Sequence, residues 1–309
     1  MSKKKYDPYV DVTARVLEEM EKGAVPWVRP WVSRLGGQQN GLSQRNYTGL
    51  NALVLSMVAD TEGFKSPYWL TAKKAFALGL ELPKGSRGVK VLGWFKARGK
   101  AESGSDDDQN SDKKEFLMCR AWAVFNFDQF TIPDGVKLPS HLMGSSDDLK
   151  VIDFNPHEAA EDLIAQTGAD IDLNASAAYY IPKRDKIFLP PPTKFFGVDE
   201  FYSTLFHELT HWTGHEARLN RFKTKNCTRF ASKDYSKEEL TAEMGSVFIC
   251  SKLGISTDSQ VRNSAAYLRG WMKYLKDHPK EFAMACQRAQ RACDFVFSME
   301  AKALGRVGA

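Results

Sequence analysis

The sequence predicts an α+β fold arranged in two domains. Apolar residues recur at helical spacing near the amino end and through most of the carboxyl half, which predicts helices in both places. Between them, Val89–Phe95 and Phe116–Phe127 are runs of β-branched and aromatic residues, which are typical of two antiparallel strands. Residues 131–150 are rich in Pro, Gly, Ser and Asp and show little periodicity, so the domain boundary is expected there.

Local patterns predict the elements of the first domain. Residues 9–22 are amphipathic and residues 50–60 are mostly apolar, which predicts a surface helix and then a buried one. Thr71 and Gly79 predict the two ends of a short helix, because threonine caps helix amino ends and glycine commonly follows carboxyl ends. Residues 101–114 are acidic and of low complexity, which favours a mobile hairpin tip between the two strands.

The second domain is predicted to be mainly helical with a small sheet. Asn155 and Pro156 predict the start of a helix that extends to about residue 166. Two apolar triplets around residues 182–185 predict a β-hairpin over residues 179–189. Further helices are expected around residues 199–214, 236–253, 258–276 and 278–304. The predicted organisation is a first domain over residues 1–135, a linker over 136–152 and a second domain over 153–309.

Composition excludes several classes of protein. Of the 309 residues, 43% are hydrophobic and 26% are charged, as in globular domains. No run of about 18 apolar residues occurs, so neither a spanning helix nor a membrane partner is expected. The five cysteines are scattered without a CxxC pair, which argues against a disulfide framework. The lysines at the amino end are not followed by an apolar stretch, so no secretory signal is indicated and a cytoplasmic location is expected.

Positive charge is concentrated in the first hundred residues. They contain 17 Lys and Arg against 8 Asp and Glu, whereas the formal charge of the whole chain is only +5. They also contain four of the seven tryptophans. Cations that contact phosphates and flat rings that stack on bases are what single-stranded nucleic-acid binding requires. Composition alone leaves a second interpretation open, in which the tryptophans are core residues and the lysines form a solvated face.

A metal-binding motif lies on the helix predicted at residues 199–214. Residues 207–211 read His-Glu-Leu-Thr-His, the HExxH pattern. The spacing of four places His207 and His211 on one helical face, where both imidazoles can bind one Zn²⁺. Glu208 then lies beside the open coordination position, as the candidate catalytic base that moves a proton from water to a leaving amine. The motif predicts a zinc-dependent hydrolase, in which Mn²⁺ or Co²⁺ can replace zinc.

A third metal ligand is expected from a later helix. Glu239 and Glu243 lie one turn apart on one helical face, and either carboxylate can complete the site. The extended metzincin motif HExxHxxGxxH does not apply, because Ala217 stands where its third histidine is required.

This arrangement resembles the gluzincin metallopeptidases, whose second motif reads ExxAD or ExxAN. The resemblance implies Glu239 as the third ligand and gives Glu243 the position that holds a ligand histidine. Glu243 departs from the pattern, because its side chain is longer and can reach the metal itself, so both glutamates stay candidates. By analogy, the hairpin over residues 179–189 corresponds to the edge strand along which zincins hold an extended peptide.

The two halves together resemble antirestriction proteins of the ArdC type. The resemblance covers most of the chain except the acidic segment, and two unrelated sets of motifs occur in the family's order. These motifs are Gly23-Ala24-Val25-Pro26-Trp27, Asn46-Tyr47-Thr48-Gly49-Leu50-Asn51, Tyr68-Trp69-Leu70-Thr71, Lys84-Gly85-Ser86-Arg87-Gly88, His207 to His215, Leu219-Asn220-Arg221 and Glu238 to Phe248. The resemblance implies a single-stranded-DNA-binding domain, a zincin-like metallopeptidase domain and protection of incoming conjugative plasmid DNA from host restriction.

With this resemblance, aromatic and basic residues of the first domain become candidate DNA contacts, and some of them are expected to prove core residues. The candidates are Trp27, Arg29, Trp31, Arg45, Tyr47, Trp69, Lys73 and Lys74. Asn51 and Thr71 are expected to cap or turn the chain instead.

Two functional hypotheses follow from the sequence. In the first, the protein binds single-stranded DNA and uses a metallopeptidase domain against a protein of the host restriction or defence machinery. In the alternative, the protein coats single-stranded DNA, and its metal centre is structural or regulatory without peptidase activity.

Overall fold

The structure is a computed structural model of the 309-residue chain. It describes residues 6–22, 37–98, 115–143, 156–222, 233–255 and 265–303. Of the expected DNA contacts, Trp27, Arg29 and Trp31 lie outside the described residues. The acidic segment over 101–114 and the larger part of the expected linker also lie outside them.

The amino-terminal half combines helices with a sheet. Its elements are α1 (Pro8–Glu21), β1 (Gln39–Asn40), α2 (Gly49–Glu62), β2 (Tyr68–Leu70), α3 (Ala72–Ala77), β3 (Val89–Arg98), β4 (Glu115–Asn126) and the short helix α4 (Ser140–Met143). The three helices expected in this half are confirmed as α1, α2 and α3.

The strands of this half form a sheet in the order β1-β2-β4-β3. β1 and β2 are parallel, and the other neighbours are antiparallel. β3 and β4 form a long hairpin in continuous register, from Val89 opposite Val124 to Arg98 opposite Glu115, which confirms the two expected strands. β1 and β2 were not predicted, because runs of two or three residues are too short to show alternation.

Asn51 closes the outer edge of the sheet at β3. Its side-chain amide donates to the Leu92 carbonyl oxygen at 2.7 Å, and its carbonyl oxygen accepts from the Leu92 N–H at 2.7 Å. The amide thus pairs with an edge strand much as another strand does. Thr71 caps α3 by accepting from the Lys74 N–H. The capping role expected for Thr71 is therefore confirmed, whereas Asn51, within α2, neither caps nor turns the chain but binds the backbone of β3.

The carboxyl-terminal half is mainly helical. Its elements are α5 (Pro156–Thr167), β5 (Asp170–Asp172), β6 (Tyr179–Ile181), β7 (Lys186–Phe188), α6 (Val198–Thr213), α7 (Lys233–Leu253), α8 (Ala265–Asp277) and α9 (Pro279–Ala303). The small sheet has the order β5-β7-β6, with β5 parallel and β6 antiparallel to β7. The predicted hairpin and helices are confirmed where the chain is described, and Asn155 and residues 258–264 of the expected helices lie outside the described residues. The three-residue strand β5 was not predicted.

Two large apolar clusters hold the described residues together. In the first, Val16 of α1 and Leu53 of α2 pack in one cluster with Met244 of α7 and Phe282 of α9. The second joins α6 to the small sheet and to further residues of α7 and α9. α7 and α9 therefore contribute to both clusters, and the amino-terminal half is packed against the second half through them.

Helices and two small sheets together confirm the predicted α+β class. Among the described residues, no helix combines the length and the apolar character that crossing a membrane requires. The domain limits at residues 135 and 153 stay predictions.

Candidate metal centre and nucleic-acid surface

Helix α6 directs both histidines of the HExxH motif toward one point. His207 and His211 are one helical turn apart, and their Nε2 atoms are separated by 3.2 Å. The other side of α6 is anchored by Phe206 and Leu209, which are fully buried. Packing of that side fixes the rotation of the helix, so the two imidazoles are held in place as a metal site requires.

Helix α7 brings a carboxylate to the same point. Glu239 Oε2 lies 3.5 Å from His207 Nε2, and Glu239 Oε1 lies 3.4 Å from His211 Nε2. One donor atom from each of the three residues lies within 4.8 Å of the others. Two imidazoles and a carboxylate are a donor set of catalytic zinc sites, so these residues fit a divalent cation.

Glu243, the other candidate third ligand, lies behind His207. Its Oε2 is 4.0 Å from His207 Nδ1, the ring nitrogen that faces away from Glu239. This Nδ1 is buried and has no hydrogen-bond partner among the described residues. The geometry therefore favours Glu239 as the ligand and Glu243 as a residue that orients a ligand histidine.

Glu238 also lies at the cluster, although no sequence motif predicted it as a site residue. Its Oε1 lies 3.5 Å from His211 Nδ1 and accepts a hydrogen bond from Arg221 Nη2 at 2.7 Å. Arg221 also donates to the Thr210 carbonyl oxygen at 2.5 Å, which ties the pair to α6. The sequence signal for Glu238 was its position next to Glu239, and adjacency alone does not show which way a carboxylate points.

The carboxylates around His211 favour positive charge at the centre of the cluster. Burial lowers the pKa of His211, but hydrogen bonds with Glu238 and Glu239 outweigh burial and raise that pKa to about 10. Burial raises the pKa of Glu239, yet its hydrogen bonds with His207 and His211 hold that pKa well below the usual range. An environment that stabilises a proton here also stabilises a metal cation, which must displace that proton when it binds.

A cleft of about 300 Å³ opens beside the cluster. Glu208 lines it together with both histidines and is itself 7% exposed. The opposite wall includes Tyr179 and Tyr180 of β6, which is the outer strand of its sheet. An outer strand offers backbone groups for pairing with an extended peptide, in agreement with the analogy to the zincin edge strand.

The wall of the cleft is fastened to the motif helix. Arg218, in the segment after α6, donates from Nη1 to Asp185 Oδ2 at 2.9 Å, and Tyr180 donates its hydroxyl to Asp185 Oδ1 at 2.7 Å. The Arg218 guanidinium also stacks on the Trp212 ring at 3.7 Å from its centroid. These contacts hold the β6–β7 hairpin at a fixed distance from the histidines.

Four of the eight candidate DNA contacts reach the surface in the described part of the chain. Arg45, Lys73 and Lys74 are exposed. Tyr47 is half-buried and packs against the first apolar cluster. The three cationic side chains remain available to phosphates, whereas Tyr47 offers only part of its ring.

Trp69 requires a correction, because it is a core residue. Its side chain is completely buried, and its indole N–H donates to Gln38 Oε1 at 2.5 Å. Phe64 contacts the ring edge-to-face, with centroids 6.0 Å apart. A ring covered in this way has no face on which a base can stack.

Two family models match the two halves of the chain. The model of the N-terminal domain of the anti-restriction factor ArdC matches residues 6–125. The model of a zincin-like metallopeptidase matches residues 158–288. The fold and the site thus define a two-domain protein in which an ArdC-type N-terminal domain precedes a zincin-like metallopeptidase domain.

Solved structures identify the particular family. The metal-free crystal structure of the antirestriction ArdC protein from the R388 plasmid matches with a TM-score of 0.69 and 31% identity, covering 96% of this chain and 99% of that one. Its Mn(II)-bound crystal structure matches with a TM-score of 0.67 and 32% identity over the same shares. The chain belongs to the ArdC antirestriction family.

Other relatives are longer proteins or lack a functional name. Two DNA primases TraC from Escherichia coli are 31% and 33% identical over 301 and 308 residues. This chain spans 27% and 20% of their lengths and 94% and 96% of its own. The uncharacterized protein y4eC of Sinorhizobium fredii is 29% identical over 304 residues, which cover 96% of this chain and 94% of that protein.

Proposed function

We propose that this protein is an antirestriction factor that binds single-stranded DNA and hydrolyses a protein of the host restriction or defence machinery. It would act in the cytoplasm, where it protects incoming conjugative plasmid DNA. The observation that carries the proposal is the convergence of His207, His211 and Glu239 beside a cleft that Glu208 lines.

The three donor residues would hold Zn²⁺, with Mn²⁺ or Co²⁺ as alternatives. Such an ion supplies an acidified water and polarises a peptide carbonyl. The crystal structure of the R388 ArdC protein that is 32% identical to this chain is described as Mn(II)-bound, which supports binding of a divalent cation by this chain.

The remaining groups of the cleft would position the peptide and move the proton. Glu208 accepts a proton from the attacking water and delivers it to the leaving amine, as a general base and then a general acid. β6 pairs with an extended peptide through backbone hydrogen bonds, so peptide binding depends little on the side chains of the peptide. Glu238 and Arg221 keep His211 in the orientation that binding needs.

A Glu208→Ala variant tests the peptidase step. Glu208 contributes no donor atom to the cluster of His207, His211 and Glu239, so the variant is expected to keep its metal. Loss of a general base lowers the rate by about 10²–10⁴-fold, so protection of an incoming plasmid in recipient cells is expected to disappear. Metal content and plasmid transfer efficiency are measured together.

Glu216→Ala is the matched control, because Glu216 is exposed just beyond α6. It is expected to protect plasmid DNA as the unaltered protein does. Full protection by a metal-replete Glu208→Ala protein would contradict the peptidase mechanism. A DNA-coating protein with a structural metal would then explain the function.

The DNA-binding part of the proposal is supported by the amino-terminal half. Its first hundred residues contain 17 cationic against 8 anionic side chains, and residues 6–125 match the N-terminal domain of ArdC. The two TraC relatives are named as DNA primases, enzymes that work on DNA. Arg45, Lys73 and Lys74 provide exposed cations for phosphates.

Single-stranded DNA binding is expected to weaken steeply as salt rises, because each phosphate contact releases counterions. Trp27→Ala and Trp31→Ala are each expected to cost about 1–3 kcal/mol of binding free energy. Fluorescence anisotropy of a labelled oligonucleotide, titrated between about 50 and 200 mM salt, measures both effects. An affinity that does not change with salt concentration, or no binding at all, would contradict the proposed single-stranded DNA binding.

A further inference from the structure

The β3–β4 hairpin has two unlike faces. Residues directly opposite in the register share a face, so Leu92 with Ala121 and Trp94 with Cys119 lie on one side. Leu92, Ala121 and Cys119 pack into the first apolar cluster, and Trp94 lies beside Tyr9 of α1. This face is the one that helix α1 covers.

The opposite face carries an aromatic pair and a cation. Gly93 faces Arg120, and on the same side Phe95 lies opposite Met118 and Trp122 lies opposite Val91. Val91 is buried in the first apolar cluster, so only the part of this face from Gly93 to Phe95 and its partners lies outside the core. Trp122 is 43% exposed and Arg120 is exposed. Neither Phe95 nor Trp122 belongs to the apolar clusters formed by the described residues. The two rings are therefore not explained as core.

Gly93 allows the Trp122 ring to lie across the backbone of β3. A Cβ at position 93 would lie 1.9 Å from Trp122 Cζ3 and 2.8 Å from Cη2, so no other residue fits beneath the ring. Glycine weakens a strand interior and often marks a place where another group approaches the backbone closely. Here it seats the indole on the sheet and leaves the outer surface of the ring toward solvent.

The three side chains form a connected surface. The Phe95 and Trp122 rings meet edge-to-face with centroids 6.2 Å apart, and the Arg120 guanidinium lies 5.0 Å from the Phe95 centroid. Aromatic rings for stacking, next to an arginine for a phosphate, are the combination found in sequence-tolerant single-strand binding. Stacking on such rings does not require recognition of base edges, because every base has a π-face.

We propose that Phe95, Arg120 and Trp122 form a stacking platform on which one or two bases of single-stranded DNA lie. The platform rests on the proposed DNA-binding function and places it on the part of the hairpin that the apolar clusters leave uncovered. It supplies the stacking contact that the buried Trp69 cannot provide.

The test compares two tryptophans of the same hairpin. Trp94 and Trp122 are each 43% exposed but lie on opposite faces. With the full chain and a labelled oligo(dT), Trp122→Ala is expected to weaken binding about 5–150-fold. Trp94→Ala, the control, is expected to stay within about twofold, and Trp122→Phe is expected to restore most of the lost affinity.

Gly93→Ala provides a variant that keeps both rings. Since an added Cβ must displace the Trp122 ring, it is expected to weaken binding about as much as Trp122→Ala. Arg120→Gln is expected to reduce the slope of log affinity against log salt by about one phosphate contact. Circular dichroism shows whether each variant is folded. If the other variants do not fold, Arg120→Gln, which changes an exposed side chain, tests the platform alone.

The outcomes separate the platform from the function on which it rests. An unaltered protein that binds no oligonucleotide would overturn the DNA-binding function itself. If the unaltered protein binds the oligonucleotide, and Trp122→Ala binds it with the same affinity as Trp94→Ala, only the platform would be overturned. An unchanged slope of log affinity against log salt in Arg120→Gln would have the same consequence. A change of oligomeric state in Trp122→Ala with unchanged DNA affinity would show that the face binds a second copy of the chain, and this too would overturn it.

Discussion

At the scale of single residues, two glutamates of α7 approach different nitrogens of His207. Glu239 faces the Nε2 atom at 3.5 Å and also reaches His211, whereas Glu243 faces the Nδ1 atom at 4.0 Å. In the proposed metal site, the side of the imidazole that each glutamate approaches would make Glu239 a ligand and Glu243 a residue that orients a ligand.

Conservative substitutions at these two positions separate the roles. Glu239→Gln is expected to abolish tight binding of the single metal equivalent, as His207→Ala does, because each removes a donor atom. Glu243→Gln is expected to retain the equivalent with an affinity about 10–100-fold lower, the usual cost of losing an orienting partner. Titration with Zn²⁺ against a chelator gives stoichiometry and affinity. The reverse pattern would show that Glu243 is the ligand.

Residues whose geometry is local were predictable, and residues whose geometry depends on a second element were not. The HExxH spacing fixes His207 and His211 within one helix, so the sequence predicted their convergence. The position of Glu238 beside His211 depends on the angle between α6 and α7, which no spacing reveals. The burial of Trp69 likewise depends on how β2 is covered by other parts of the fold.

At the scale of elements, the metal cluster depends on how closely α7 approaches α6. Gly245 lies where the two helices meet, and a Cβ there would lie 2.4 Å from both Cγ2 and Oγ1 of Thr210. Thr210 is completely buried, and its hydroxyl donates to the Phe206 carbonyl oxygen at 2.7 Å, so the side chain cannot turn away. The glycine therefore sets the spacing that brings Glu239 to the histidines.

Gly245→Ala is expected to destabilise the protein by about 1–3 kcal/mol, the usual cost of overpacking a well-filled interior. It is also expected to weaken metal binding, because the helices must separate and the donor atoms with them. Urea unfolding and the Zn²⁺ titration measure the two effects.

Gly270→Ala is the matched control within helix α8, because no atom of the described residues lies within 4 Å of its added Cβ. Alanine is the better helix former, so this change is expected to leave metal binding unaltered and to stabilise the fold by up to about 1 kcal/mol. Equal behaviour of the two alanine variants would contradict a role for the helix spacing.

Element length decides how much of the fold the sequence predicts. The long helices and the β3–β4 hairpin were predicted, because each repeats its pattern over several turns or alternations. The short helix α3 was predicted from its caps, and the four-residue α4 was not predicted. The strands β1, β2 and β5 have two or three residues each and no measurable period. The exposure of Trp122 was also beyond prediction, because it depends on which residues of the hairpin the helices cover.

At the scale of the whole molecule, α7 and α9 connect the metal centre to the amino-terminal half. α7 carries Glu239 at the cluster, and its residues Leu240 and Met244 pack in the same apolar cluster as Leu53 of α2. Further along, α7 contributes Ile249 to the second cluster. A helix shared by two cores favours unfolding of both as one cooperative unit.

This connection predicts that metal stabilises residues far from it. A ligand that binds only the folded state stabilises by RT ln(1 + [L]/Kd), about 2.7 kcal/mol at a hundredfold excess over Kd. Hydrogen exchange at the amides of α2, such as Leu53 and Leu55, is therefore expected to slow about as much with Zn²⁺ as exchange in α6. The variant His207→Ala, which lacks a donor atom, is expected to show no such slowing in either helix. Protection confined to α6 would show instead that the two halves unfold independently, despite the helices they share.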